Sequence, residues 1–234
     1  MIEKYHFTGF PPAAVRFFED LARHNDRDWF LAHKLLYQES VLDPARAFVV
    51  EMGVRLRRLA PQIQFDPRTD GSGSVFRIHR DVRFSKDKSP YKTHLGIFFW
   101  EGQKKWGPGF YFHLEPPRLQ LYVGKYVFDK EELATWRAAV ADPTRGAALA
   151  RLTAKIEKKG YELGGQHYKR VPAGFAANHP RAELLKHDSV WVRHDGLIPA
   201  ELGARDLLDF CQMHYKAMSP LHGWMREFVA AIER

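Results

Sequence analysis

The chain has 234 residues, 45% of them hydrophobic and 14% aromatic, with 36 Lys and Arg against 28 Asp and Glu for a formal net charge of +8. This composition excludes wholesale disorder, and a chain of this length buries roughly 70% of its unfolded surface in one core, so a single compact domain over 1–234 is expected. No run approaches the ~20 apolar residues of a membrane span, the opening MIEKYHFTGFPP lacks the apolar stretch of a secretory signal, and a lone cysteine, Cys211, excludes an intrachain disulfide and a paired-cysteine metal site; the expected address is the cytoplasm, with no membrane partner.

From Pro11 to about Ala60 apolar residues recur at helical spacing: Val15, Phe17, Phe18 and Leu21, then Trp29, Phe30 and Leu36, then Phe48, Val49, Met52 and Leu56. Three helices follow from that spacing, with Asn25 or Asp26 capping the second, and Asp43 capping the third with Pro44 in its first turn. Residues 61–74, PQIQFDPRTDGSGS, read as a mobile loop. At Phe76 the period changes to two: Phe76, Ile78, Val82 and Phe84 alternate with Arg77, His79, Asp81 and Arg83, predicting a strand with one buried face. HLGIFFW (94–100), GFYFHLE (109–115) and RLQLYVG (118–124) predict three more strands joined by short Gly/Pro turns as an antiparallel meander.

Helical patterns then return in DKEELATWRAAVAD and DPTRGAALARLTAKIEKK, the second with Asp142 as cap and Pro143 at its first position. SVWVRH (189–194) predicts one more strand. Two closing helices, 203–217 and 219–233, are expected to divide at SPLHG, with Ser219-Pro220 as a start signal. The expected class is therefore α+β: an antiparallel sheet of about four to five strands with N-terminal and C-terminal helices packed on one face. Its parts are helical (1–60), stranded (61–125) and mostly helical (126–234).

The chemistry concentrates in residues 77–92, where Arg77, Arg80, Arg83, Lys86, Lys88 and Lys92 stand against Asp81 and Asp87. In an extended segment Arg80 falls on the buried side, where a guanidinium needs a carboxylate and carbonyl partners; Asp87 is the local candidate. On the other side Arg77, His79, Asp81 and Arg83 form a row suited to gripping a phosphate or carboxylate, with Asp81 orienting a guanidinium. Ser85, Ser89, Tyr91 and Thr93 add hydroxyls. The anion-binding candidates are thus Arg77, Arg80, Arg83, Lys86, Lys88, Tyr91 and Lys92, lining a cleft with Trp29. If there is turnover, Asp81 or His79 carries the proton. The bland alternative is a brace, the arginines pairing with acids of the helical region such as Glu19, Asp26 or Asp28.

FRIHRDVRFSKDKSPYKTHLG, together with NDRDWF, GPGFYFHLE and YKRVPAGFAANHPRAELLKHDSVWV, resembles a family of bacterial proteins known as domain of unknown function 2461, over nearly the whole chain. The family's hallmark falls on Arg77, Arg80, Asp81, Arg83, Phe84, Asp87, Lys88 and Tyr91. The chain departs from the family pattern at His79, where relatives often carry an aromatic residue, and at VGKYVFDKEE, which lacks their Trp-x-Pro. The resemblance implies membership and carries over no reaction.

His79, His94 and His113 lie on successive predicted strands, and by register they could meet at a metal, but no HExxH, paired-Cys signature or acidic cluster accompanies them. Strand histidines that simply pack are commoner, so neither metal ligands nor a cofactor are assigned. A second basic run, Lys155, Lys158, Lys159, Lys169 and Arg170, reads as a solvated helix end opposing the dipole. Phosphate-loop, dinucleotide and hydrolase motifs are absent from the sequence. Three functions remain: a binder, with or without turnover, of a small anionic ligand; a nucleic-acid binder, with Tyr91, Trp100 or Trp106 stacking bases; and a non-catalytic interaction domain in which the arginines are structural.

Overall fold

The computed structural model describes residues 5–103 and 107–232. The N-terminal helices are α1 (Pro12–Arg23), α2 (Arg27–Ala32), the one-turn α3 (Lys34–Tyr37) and α4 (Asp43–Leu56). The Asp26 carboxylate accepts the Trp29 N–H at 2.9 Å and caps α2, as the sequence suggests. Asp43 caps nothing. A π-helical turn, Gln38–Leu42, carries the chain without a break into α4, and the Asp43 N–H donates to the Gln38 carbonyl. Pro44 has no N–H to give to the preceding turn, and widening that turn accommodates it without ending the helix. The Asp43 carboxylate turns outward to Gln38 Nε2 (2.6 Å) and Arg46 Nη1 (3.0 Å).

The sheet contains β1 (Leu95–Trp100), β2 (Gly109–Glu115), β3 (Arg118–Lys125), β4 (Glu162–Gln166) and β5 (His187–Leu197), antiparallel and in the order β1-β2-β3-β5-β4. The β1–β3 meander and the strand at 189–194 lie where their alternation puts them. The strand expected at 76–84 does not form. Val75 makes a single bridge to Ile97 on the free edge of β1, and His79 bridges Tyr91. Phe76 N still donates to Gly96 O, but within 81–89 side chains satisfy the backbone locally, Asp81 accepting Arg83 N, Asp87 accepting Ser89 N and Lys88 Nζ donating to Val82 O, which competes with a ladder.

Between β3 and β5 lie α5 (Lys130–Ala141), α6 (Arg145–Glu157) and α7 (Ala182–Leu185). The Asp142 carboxylate does cap, receiving Thr144 N at 2.9 Å and Arg145 N at 2.6 Å, although the regular helix begins two residues past Pro143. The two closing helices are instead one, α8 (Leu207–Ile232), with Pro220 inside it. Pro220 cannot donate to the Lys216 carbonyl, but Ser219 Oγ does so at 3.0 Å, which lets the helix run on. The residue expected to cap a new helix repairs the old one.

Packing groups the chain into two compact units: Met1–Phe99, Tyr111–Leu121 and Asp195–Met213 form the first, and Trp100–Phe110, Tyr122–His194 and His214–Arg234 the second. The first has an aromatic core in which Phe10, Phe48, Phe99 and Phe112 are fully or almost fully buried; Phe48 lies 4.9 Å from Phe112 and 6.4 Å from Phe99 between ring centroids. Helical residues thus cover the face of β1 and β2 that carries Phe99, Phe112 and Leu114. The alternate residues of β2, Tyr111, His113 and Glu115, stand on the opposite, less buried face. The second unit is built around Trp136, whose indole N–H donates to Leu184 O at 3.0 Å, with Phe128 and Phe228 against its ring. Cys211 is fully buried, and burial pushes its thiol far from ionisation at neutral pH.

Candidate functional site

Residues 76–92 form a two-legged arm of the first unit. Arg80 N donates to Pro90 O and Lys92 N to Ile78 O, both at 2.8 Å, so 78–80 runs beside 90–92 and closes a loop over 81–89. The arm is tied to the turn between α1 and α2 by one side chain: Asn25 Nδ2 donates to Tyr91 O (2.9 Å) and Asn25 Oδ1 accepts Tyr91 N (3.0 Å). The buried Tyr91 ring stacks on Phe30 at 4.2 Å, and the exposed His79 ring lies 5.1 Å from Tyr91.

The cations divide by role. Arg80 pairs with Asp87 and reaches Ser89 O at 3.3 Å, which supplies the partners its half-buried position demands. Arg83 grips Asp81 through Nε (2.9 Å) and Nη2 (2.7 Å), a bidentate pair. Lys88 Nζ donates to Val82 O (3.0 Å) and Lys92 Nζ to Arg77 O (2.9 Å). Among the described residues, the Arg77 guanidinium and the Lys86 ammonium make no hydrogen bond or ion pair, and both residues are exposed. The helical acids Glu19, Asp26 and Asp28 are not the partners of these arginines.

Hydrogen bonds from the Arg83 side chain and backbone hold the Asp81 carboxyl down at about 2, and those from Ser89 and Arg80 hold Asp87 lower still. A carboxylate so held is a weak base near neutrality, and Asp81 acts on Arg83 as an orienting anion. Trp29 stacks on His33 at 4.0 Å. Of the residues considered for base stacking, Trp100 is buried and Trp106 lies outside the described residues.

A second cluster stands on the open face of β1 and β2. His94, immediately before β1, lies 4.3 Å from His113 between ring centroids, and His113 Nε2 is 3.2 Å from Glu115 Oε2. The ligand-type atoms of His94, His113 and Glu115 all lie within 4.8 Å of one another. Glu115 Oε1 accepts Thr93 Oγ1 at 2.9 Å, and His113 Nδ1 faces the Tyr111 hydroxyl at 3.4 Å. Gly96 leaves room for that phenol, since a Cβ there would sit 2.3 Å from the Tyr111 oxygen. Burial, reinforced by the charges of His113 and Lys92, pushes His94 down to about 4. Burial alone would raise Glu115, but bonds from His113 and Thr93 outweigh it and hold the carboxyl below its ordinary value. His79 is not part of this group.

The family described as "Conserved hypothetical protein (DUF2461)" matches residues 13–224. The chain belongs to this family. No curated protein and no solved structure matches it. In this DUF2461 chain most of the hallmark residues act within the arm: Arg80 with Asp87, Asp81 with Arg83, Lys88 on Val82, and Tyr91 clasped by Asn25. Phe84 is exposed with the Arg83 guanidinium 5.9 Å from its ring centroid. The hallmark therefore builds the arm more than it lines a cavity, and Arg77 is the member left without a bond.

Sequence reasoning missed Asn25 as a clasp and Glu115 as the third member of the histidine cluster. The second had a signal. His113 and Glu115 are two apart on one strand and so share a face, and His94 sits at the start of the strand paired with it.

Proposed function

We propose that the protein binds a small molecule bearing a phosphate or carboxylate, with Arg77 as the principal contact and Lys92 beside it. The observation that carries this reading is the division of the cations: Arg80 and Arg83 are committed to Asp87 and Asp81, while the exposed Arg77 guanidinium keeps all its donors. A guanidinium presents a planar fork that matches a carboxylate or phosphate edge. The Lys92 ammonium reaches across from the other leg of the arm to donate to Arg77 O at 2.9 Å and lies 5.6 Å from the Phe76 ring centroid, so a second cation is held against the backbone of Arg77. The alternative in which the segment is only a brace is favoured for Arg80 and Arg83 by their ion pairs. It leaves Arg77 and Lys86 without a role.

The test is a thermal-shift screen with inorganic phosphate, pyrophosphate, phosphorylated and carboxylated metabolites, and short oligonucleotides, each at low and high salt. A ligand that binds only the native state raises the melting temperature with occupancy. The reading expects a small anion to give a shift with shallow salt dependence, and Arg77→Ala to weaken it by about ten- to a hundredfold, the worth of one or two charge-assisted bonds. A response from oligonucleotides alone, falling steeply with salt, would transfer the function to nucleic acid. An unchanged small-anion shift in Arg77→Ala would defeat the assignment of the contact.

A further inference from the structure

We propose that His94, His113 and Glu115 form a binding site for one divalent first-row transition ion such as zinc. The reading does not depend on anion binding by Arg77. Two imidazoles and a carboxylate are a donor set suited to such ions and poorly suited to magnesium or calcium, which prefer all-oxygen shells. Ligand bonds of about 2.0–2.2 Å require donor atoms at most ~4 Å apart; the three donors already lie within 4.8 Å, and a small rotation of exposed Glu115 or of the His94 ring closes the difference.

The surroundings of the three residues carry the inference further than their proximity. A metal-bound imidazole usually gives its other nitrogen to a hydrogen-bonding group, and a metal-bound carboxylate usually has its second oxygen occupied. Both arrangements are in place: His113 Nδ1 faces the Tyr111 hydroxyl at 3.4 Å while Nε2 points at the cluster, and Thr93 Oγ1 donates to Glu115 Oε1 at 2.9 Å while Oε2 faces His113 Nε2. Glu115 and His113 alternate with core residues on β2, so the backbone fixes them on one face, and Gly96 clears the space that the Tyr111 phenol occupies. Three protein ligands on a half-open sheet face leave a position for water or for an oxygen of a ligand, the pattern of an accessible ion and not of a closed structural site.

The experiment uses tag-free full-length protein, stripped with a chelator and titrated with Zn²⁺ by calorimetry, then loaded with Co²⁺ for visible absorption. The expected result is one ion per chain and a Co²⁺ ligand-field band, with the band absent and Zn²⁺ affinity at least a hundredfold lower in His94→Ala and in Glu115→Gln. Thr93→Val, which touches no ion, should weaken binding by about tenfold. A second close histidine pair, His194 and His214, stacked at 3.8 Å, supplies the control: His214→Ala should bind as the wild type does. Substoichiometric binding by the wild type, or binding that survives in both His94→Ala and Glu115→Gln, or binding abolished by His214→Ala alone, overturns the proposal. Glu115→Gln is nearly isosteric and exposed, so its loss of metal cannot be put down to a failure to fold.

Discussion

At the scale of single residues, the arm shows how much an ion pair can be anticipated and how much a neutral contact cannot. The alternation of 76–84 put Arg80 on the buried side, and the cost of an unpaired guanidinium there demanded an acid; Asp87 supplies it. Asn25 left no comparable trace, because a neutral amide before a helix is read as a cap. Its side chain instead satisfies both the N–H and the C=O of Tyr91, at 3.0 Å and 2.9 Å. Asn25→Ala removes both bonds and orphans two part-buried backbone groups, and is expected to cost about 2 kcal/mol in urea denaturation. A change within about 0.5 kcal/mol would mean that water replaces the amide and that the clasp contributes little.

At the scale of elements, strands were legible where aromatic alternation ended in Gly or Pro turns, as in β1 to β3. They were illegible where pairing rests on backbone alone. β4 holds Gly164 and Gly165, and a Cβ on Gly164 would meet the Trp191 ring at 2.1 Å, so the residues that let β4 lie against β5 are those that erase a strand signal. Segment 76–84 failed in the opposite way: its period-two pattern is not kept in the fold, where Val75 and Ile78 are buried and Phe84 is exposed, because beyond Ile78 the chain bonds to itself and not to a neighbouring strand. Pro220 misled because a proline after serine ordinarily starts a helix, whereas Ser219 here covers the Lys216 carbonyl that Pro220 abandons. An interior proline costs a helix about 3 kcal/mol, but Ser219 offsets part of that, and proline also restricts the unfolded chain. Pro220→Ala is therefore expected to raise stability by only about 1 kcal/mol, seen as a melting temperature higher by a few degrees. A loss of stability would show that the proline shapes α8 in a way its neighbours require.

At the scale of the whole molecule, no helix among the described residues is long and apolar enough to cross a membrane. The balance of charge makes acid the informative condition. In the second unit His222 is 2% exposed, with Arg226 and Glu101 as its charged neighbours, and burial aided by Arg226 pushes its imidazole from 6.5 down to about 4. His214, against His194 and Tyr161, is pushed to about 4 as well. Well above pH 6.5 these groups are neutral in both states and contribute no pH dependence. Between about 6.5 and 4 the unfolded chain takes the protons first, so stability falls with falling pH, by about 3 kcal/mol for His222. Burial raises Glu101, which acts in the opposite sense because the folded state protonates it first. The urea midpoint should therefore fall from pH 7 to pH 4.5, and His222→Gln should flatten that fall; an equal fall in wild type and variant would remove His222 from the account.

The division of the arm between bracing and binding is tested most directly by equilibrium urea unfolding of Arg77→Ala and Arg80→Ala, each with and without pyrophosphate. Arg80→Ala is expected to lower the midpoint and retain the stabilisation that pyrophosphate gives the wild type. Arg77→Ala is expected to leave the midpoint in place and lose that stabilisation. Full pyrophosphate stabilisation of Arg77→Ala, or its loss in Arg80→Ala alone, would contradict the account.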